Sequence, residues 1–458
     1  MFSYMKQKPG FYREVAALAT PIVLQNLITS SLNLVDTFMV GMLGEVPMAA
    51  VTLANVPLFV IQLFIFGVQS GSTVLFSQYW GKRDVESINR VFGVALYTVL
   101  AVASVMAVVL LAFPVEFLRF FGNQQEVIQE AVRYGRWAGM ANVCNSVTCI
   151  YVSLYRSMEK PKLGMYILTS SMLVNTFLNW VLIFGKLGAP ALGVEGAALA
   201  TLTARVVELL IVLGHIRFSR SFQLRPRLML LPGRDMVRRF LVYGGPVVFN
   251  ETTWGLGASV FPTIMGHMEG STEILAAYTV AGNVDKICMV VSFGLGATAS
   301  IIIGREVGAG RPEQVRSMGL AMTTLAVLCG CGIGAVLLAF AHIIAPALVF
   351  PLFKMSARAS SVAVMMMTVQ AAIRPVRDCN SVAIVGVLRG GGDVKIATLI
   401  DTAPQWFVAI PAAVLLGSVL KVDILWVYLS MTLENVVKSF FGLRRVASGS
   451  WIRDLTRM

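Results

Sequence analysis

The chain has 458 residues, of which 57% are hydrophobic and only 13% charged, with a mean hydropathy of +0.75. Water-soluble domains carry roughly 25% charged residues, so this composition excludes a soluble globule and indicates an integral membrane protein. A formal charge of +13 would suit a nucleic-acid partner, but the charges fall between apolar runs and follow membrane topology instead.

Apolar runs punctuated by Gly, Pro and charge predict twelve membrane-spanning helices, over about 14–40, 48–77, 91–113, 129–157, 163–185, 193–216, 238–265, 273–304, 316–346, 360–388, 396–418 and 422–444. No segment with a charged start, short apolar core and small-residue cleavage site precedes the first, so no cleaved signal peptide is expected. The first span, PIVLQNLITSSLNLVDTFMVG (21–41), carries Asp36 and no Lys or Arg. An unpaired charge in hydrocarbon is expensive, which makes Asp36 a functional candidate. In the fifth span, Asn175 and Asn179 stand one helical turn apart and present two amide groups along one face. Joining helices by hydrogen bonds is an equally good account of that pair.

The stretch 217–237 is basic and Pro-containing and reads as a linker, dividing the chain into 1–216 and 238–458. Within the seventh span, the stretch 246–266 carries Glu251 next to Asn250, with Thr252, Thr253 and Trp254 following. Asp285 and Lys286 adjoin each other in the eighth span, so they point to different faces and are expected to find separate partners among Arg374, Asp378 and Glu251. In the tenth span, Arg374 and Arg377 flank Asp378, and a structural ion pair is as good an account of that acid as a transport role. Pro21, Pro246 and Pro375 mark places where helices can bend. Trp254, Phe261, Met289, Phe249 and Met365–Met367 suit an adaptable apolar substrate cavity, with ordinary core or lipid-facing positions as the alternative.

With the N-terminus in the cytoplasm, 25 of the 37 Lys and Arg residues fall on the inner side, and five (Arg119, Lys186, Lys354, Arg358, Lys421) fall outside. The positive-inside rule therefore puts both termini in the cytoplasm of a cell-membrane protein. The halves repeat. Pro21 and Gly41 match Pro246 and Gly266 at an offset of 225, Phe66, Gly67 and Gly81 match Phe293, Gly294 and Gly308 at 227, and Arg156 matches Arg389 at 233. Six helices per half is an even number, so the repeat is parallel, related by an axis along the membrane normal. Six cysteines without metal-ligand spacing and three dispersed histidines leave no basis for a metal centre, a cofactor or a membrane-embedded enzyme.

The motifs P-x14-D-x4-G (Pro21, Asp36, Gly41), NxxxN (Asn175, Asn179), LGVEGAALATLTAR (192–205), Glu251 on the seventh helix and LRGGGD (388–393) occur in order along nearly the whole chain. In these the sequence resembles the multidrug and toxic compound extrusion (MATE) transporters, and in Glu251 their NorM-like bacterial branch. The resemblance implies an all-α membrane fold of two six-helix lobes. It implies an antiporter, functional as a monomer among membrane lipids, that exports amphipathic and often cationic organic compounds in exchange for Na⁺ or H⁺ by alternating access. It also implies a cation or proton cluster at Asp36, Asn175, Asn179 and Thr201, and a second site at Glu251 and Asp378. One departure stands out: that branch has a tyrosine four residues before the second acid, where this chain has Arg374. An arginine there shares a face with Asp378 and would weaken a Na⁺ site or turn it into a salt-bridge switch. Na⁺ is a hard cation suited to carboxylate, amide and hydroxyl oxygens, and the same cluster would hold a proton on Asp36. A lipid or lipid-linked oligosaccharide flippase of the wider superfamily is the alternative, kept open by Arg374 and Arg205.

Overall fold

A computed structural model describes residues 3–122, 124–219, 222–353 and 355–456. Arg220, Lys354 and Arg457, which enter the charge count above, lie outside the described residues. Among the described residues the chain forms twelve long helices: α1 (Phe11–Gly41), α2 (Glu45–Gly81), α3 (Val85–Ala112), α4 (Gln125–Ser157), α5 (Lys162–Phe184), α6 (Gly193–Phe218), α7 (Gly245–Gly266), α8 (Ser271–Gly308), α9 (Pro312–Leu352), α10 (Ala357–Leu388), α11 (Val394–Val419) and α12 (Ile424–Ser448). Nine of them are long and apolar enough to cross a membrane by length and composition. The other three, α4, α7 and α12, carry polar residues such as Asn145, Glu251 and Glu434.

Local chemistry sets the ends. Asp84 caps α3 by accepting from the Ser87 backbone N–H at 3.0 Å, Ser356 caps α10 through Ala359 N–H, and Asp423 caps α12 through Leu425 N–H. Gly185 and Gly449 close α5 and α12 in the left-handed region, at φ 65° and 72°. α9 and α11 contain wide π-type turns at Phe340–Val349 and Gln405–Ala409, which hold Pro346 and follow Pro404. Proline supplies no N–H and crowds the carbonyl one turn back, so the helix widens there instead of breaking.

The chain packs as two compact units, Leu24–Val248 and Met1–Val23 with Phe249–Met458. The division does not follow the 217–237 linker; it falls inside α1 and early in α7. The packing explains why. Phe11, Val15, Leu18 and Ala19 of α1 join the core formed by Leu295, Ala299 and Ile302 of α8 with residues of α9 and α10. A Cβ on Gly294 would lie 2.4 Å from Val23 Cγ2, so only glycine lets α8 approach there. In the other unit a Cβ on Gly67 of α2 would lie 2.7 Å from Val248 Cα, at the start of α7. Gly67 and Gly294 are repeat mates, and so are Val23 and Val248, so the sequence repeat corresponds to a repeated contact. From Pro226 onward the linker region forms the short helix Pro226–Leu230 and the helix Arg234–Tyr243, packed on α3 and α2.

Candidate functional site

In the unit Leu24–Val248 the four polar residues singled out from the sequence come together. Asn179 donates through Nδ2 to Asp36 Oδ1 at 2.5 Å and to Asn175 Oδ1 at 3.0 Å. Asn175 Nδ2 donates to Thr201 Oγ1 at 3.2 Å, and the Thr201 hydroxyl donates to the Ala197 carbonyl at 3.0 Å. The chain thus runs from α1 through α5 to α6. Val40, Ile183 and Ala197, each one turn from a member of it, form a small apolar core that holds the three helices in register. Gly196 allows the approach of α6 to α5, since a Cβ there would lie 2.6 Å from the Leu182 carbonyl oxygen. Asn175 and Asn179 are buried and Asp36 is half-buried. No ion pair to Asp36 occurs among the described residues. Arg205, whose charge reaches it, is committed to the buried Glu208 at 2.6 Å.

The acids of the other unit are arranged differently. Arg374 donates to Asp285 at 2.9 Å and to Ser292 at 3.0 Å, and its Nε lies 2.9 Å from Asp378 Oδ1. Ser292 donates to the same carboxylate, and Arg377 holds the far oxygen of Asp285 at 2.8 Å. Two acids meet two arginines, all buried or nearly so, and formal charge cancels. The arginine that departs from the family pattern is therefore the hub of this group. Small residues on α9 make room for it: a Cβ on Gly330 would lie 2.7 Å from Pro375 Cα and 3.2 Å from Asp378 Oδ2.

Glu251 belongs to a second group. Arg389 donates to it at 2.6 Å and reaches Asp401 at 3.3 Å. Lys438 lies 3.1 Å from Asp401 and 3.4 Å from Glu434, and Asn250 donates to Asp401 at 2.8 Å while accepting from Thr402 at 2.5 Å. Three acids face two cations across α7, α10, α11 and α12. Asp401, Glu434 and Lys438 are the members that sequence reasoning did not single out, and Glu208 is their counterpart in the first unit. The spacing of Arg205 to Glu208 and of Glu434 to Lys438 is the signal that could have found three of them, whereas Asp401 has both its cations on other helices. Arg156, the repeat mate of Arg389, makes the corresponding bond to the corresponding helix: its Nε donates to Gln25 of α1 at 2.6 Å. The partner is neutral in one repeat and anionic in the other.

LRGGGD is explained residue by residue. Arg389 reaches Glu251, and a Cβ on Gly390 would lie 2.7 Å from Ser300 Cα. Gly391 faces Trp451, where a Cβ would sit 2.1 Å from a ring carbon, and Gly392 has φ +94°. Asp393 binds Arg445 at 2.7 Å.

Three expectations are corrected by this geometry. Glu251 and Asp378 stand in separate groups and not in one, each carboxylate with an arginine of its own. Lys286 has no ion pair among the described residues; it is exposed, while its neighbour Asp285 on α8 is buried. Phe261 is a core residue, 7% exposed and packed with Ile264, Met265 and Ile274, and Met366 and Met367 belong to the same core. Trp254 and Met289 remain half-buried, the first giving its carbonyl to Gln405 at 3.3 Å and the second its sulfur to Arg377 at 3.3 Å.

The MatE family profile matches residues 21–181 and 247–415, one stretch in each repeat. The chain is 26% identical over 432 residues to the probable multidrug resistance protein YoeA of Bacillus subtilis, covering 92% of this chain and 90% of that one. It is 23% identical to a probable multidrug resistance protein NorM of Thermotoga maritima, covering 97% and 94%. Among solved structures, a Vibrio cholerae MATE transporter superposes with a TM-score of 0.86 at 17% identity, covering 97% of this chain and 98% of that one. A MOP superfamily transporter from Pyrococcus furiosus superposes at 0.83 and 19%, covering 98% of each. The fold, the repeat and these matches agree: the chain belongs to the MATE family of multidrug efflux transporters, multi-pass membrane proteins that are transporters and not enzymes.

Proposed function

We propose that the protein is an antiporter that exports amphipathic organic cations from the cytoplasm in exchange for protons, with Asp36 as the coupling group. One observation carries this reading. Asp36 is the one acid of the predicted set without a basic partner among the described residues, whereas Glu251, Asp285 and Asp378 are each held by an arginine. A cation entering beside those acids must displace a buried guanidinium; at Asp36 it meets only amides and a hydroxyl.

Asn179 suits both charge states of such an acid. Its Nδ2 donates to the carboxylate, and a rotation of the amide presents Oδ1 to a protonated carboxyl. That Oδ1 is buried and without a hydrogen-bond partner in the present arrangement. In the cycle we infer, the unprotonated site attracts an organic cation, and proton entry neutralises Asp36 and favours cation release. The arginine-paired groups then hold helices together and keep formal charge low around them. The charge distribution along the sequence supports both termini in the cytoplasm of a cell membrane, and the substrate class rests on the family and on the sign of this group.

A second reading, Na⁺ in place of H⁺, is favoured by the same unpartnered Asn179 Oδ1, a ready oxygen ligand for a hard cation. It needs the oxygens of Asn175 and Thr201, which already accept hydrogen bonds, to gather round the ion with Asp36, whereas the proton asks only Asn179 to turn. Ethidium transport by purified protein in proteoliposomes tests both. Asp36→Asn should insert and fold but lose export, and replacing Na⁺ with K⁺ at fixed pH should leave wild-type export unchanged. Export by Asp36→Asn at the wild-type rate overturns the assignment, and loss of wild-type export without Na⁺ favours the sodium reading.

A further inference from the structure

We infer that the end of the linker, from Leu230 into the helix Arg234–Tyr243, is a binding site for an anionic phospholipid. The helix Arg234–Tyr243 buries Met236, Phe240 and Tyr243, spaced as one helical face. Its other apolar residues are left uncovered. Leu230, Leu231 and Leu241 are 64%, 72% and 63% exposed, and with Val237 they floor a groove of about 600 Å³. Arg234 and Arg238, one turn apart and therefore on one face, stand at its edge. Neither has a carboxylate partner among the described residues. Between Phe222 and Tyr243 there are five arginines and a single acid, Asp235.

The groove is built, not incidental. The backbone of Met229 approaches α3 so closely that a Cβ on Gly93 would lie 2.2 Å from its carbonyl oxygen. Asn89 Oδ1 accepts from the Arg225 backbone N–H at 2.8 Å, Tyr97 donates to the Leu230 carbonyl at 3.4 Å, and Arg239 donates to the Tyr79 hydroxyl at 3.1 Å. These bonds hold Leu230 and Leu231 outward and fix the arginines beside them.

An apolar floor with a cationic rim fits an amphiphile with a negative head. A lipid phosphate would bridge Arg234 and Arg238 while an acyl chain covers Leu230, Leu231 and Leu241, the arrangement of an interfacial helix on an anionic leaflet. A soluble phosphate would leave the leucines uncovered. A second copy of the chain would set arginines against arginines.

The test is native mass spectrometry of the purified full-length protein with equimolar phosphatidylglycerol and phosphatidylcholine of identical acyl chains. Wild type should retain phosphatidylglycerol preferentially. Arg234→Gln/Arg238→Gln should weaken that retention about 30-fold, from roughly 1 kcal/mol per basic residue at an anionic surface. Arg234→Lys/Arg238→Lys should keep most of it, which separates loss of charge from loss of fold. Leu241→Gln should weaken phosphatidylglycerol and leave any competition by inorganic phosphate unchanged. Equal retention of the two lipids by wild type, undiminished phosphatidylglycerol on the Gln variant, full displacement by inorganic phosphate, or a dimer that masks the site would each overturn the inference.

Discussion

Arg374 offers the sharpest test of the buried charge geometry. Replacing it with Gln removes the contacts to Asp285, Asp378 and Ser292, at 2.9, 2.9 and 3.0 Å. Asp285 keeps Arg377 at 2.8 Å, so it remains paired. Asp378 keeps only the Ser292 hydroxyl and becomes a buried, uncompensated carboxylate. Breaking a buried pair from one side costs about 3–5 kcal/mol. At about 2–4 °C per kcal/mol for a unit of this size, the midpoint should fall by roughly 6–20 °C. Heating the purified protein in detergent and measuring the monodisperse fraction by size-exclusion chromatography reads that shift. The double variant Arg374→Gln/Asp378→Asn removes the orphaned charge along with the arginine and should recover more than half of the loss. If Arg374→Gln melts with wild type, or if the double variant is no better than the single one, the pairing does not stabilise this unit and the reasoning fails.

The remaining predictions are local. Gly391→Ala places a methyl inside the Trp451 ring and should cost at least 1–3 kcal/mol as overpacking, with Trp451→Ala relieving part of it; thermal melts of the single and double variants check this. Gly67→Ala meets the Val248 backbone and should lower both stability and export, whereas Gly41→Ala, with nothing nearer than Met48 Sδ at 3.9 Å, should behave as wild type in the same ethidium assay. Lys286→Gln should change stability by less than about 0.5 kcal/mol, because the residue is exposed and unpaired; a larger shift would show a partner that the structure does not contain.

The amino-acid sequence determined by itself whatever depends on neighbours along the chain. Twelve apolar runs became twelve helices, because the length and polarity of a spanning segment are local properties. The pairing of Arg374 with Asp378 was legible too, as two residues one turn apart must share a face. So was the repeat, down to the glycine mates Gly67 and Gly294. The cluster at Asp36 came from the order and spacing of family motifs, and its hydrogen bonds join the residues so named.

Other features waited for the tertiary structure, since they depend on how helices far apart in sequence are rotated and shifted against one another. Periodicity tells which residues share a face and says nothing of what that face meets. The family resemblance implies one site at Glu251 and Asp378, and each has an arginine of its own in the fold. Arg205–Glu208 and Glu434–Lys438 stand one turn apart and share a face, but Asp401 gained Arg389 and Lys438 only through packing. Phe261 looked like cavity lining and is core. The division of α1 between two packing units, at Val23 and Leu24 and not at the basic linker, was likewise decided by contacts with α8 that no stretch of sequence contains.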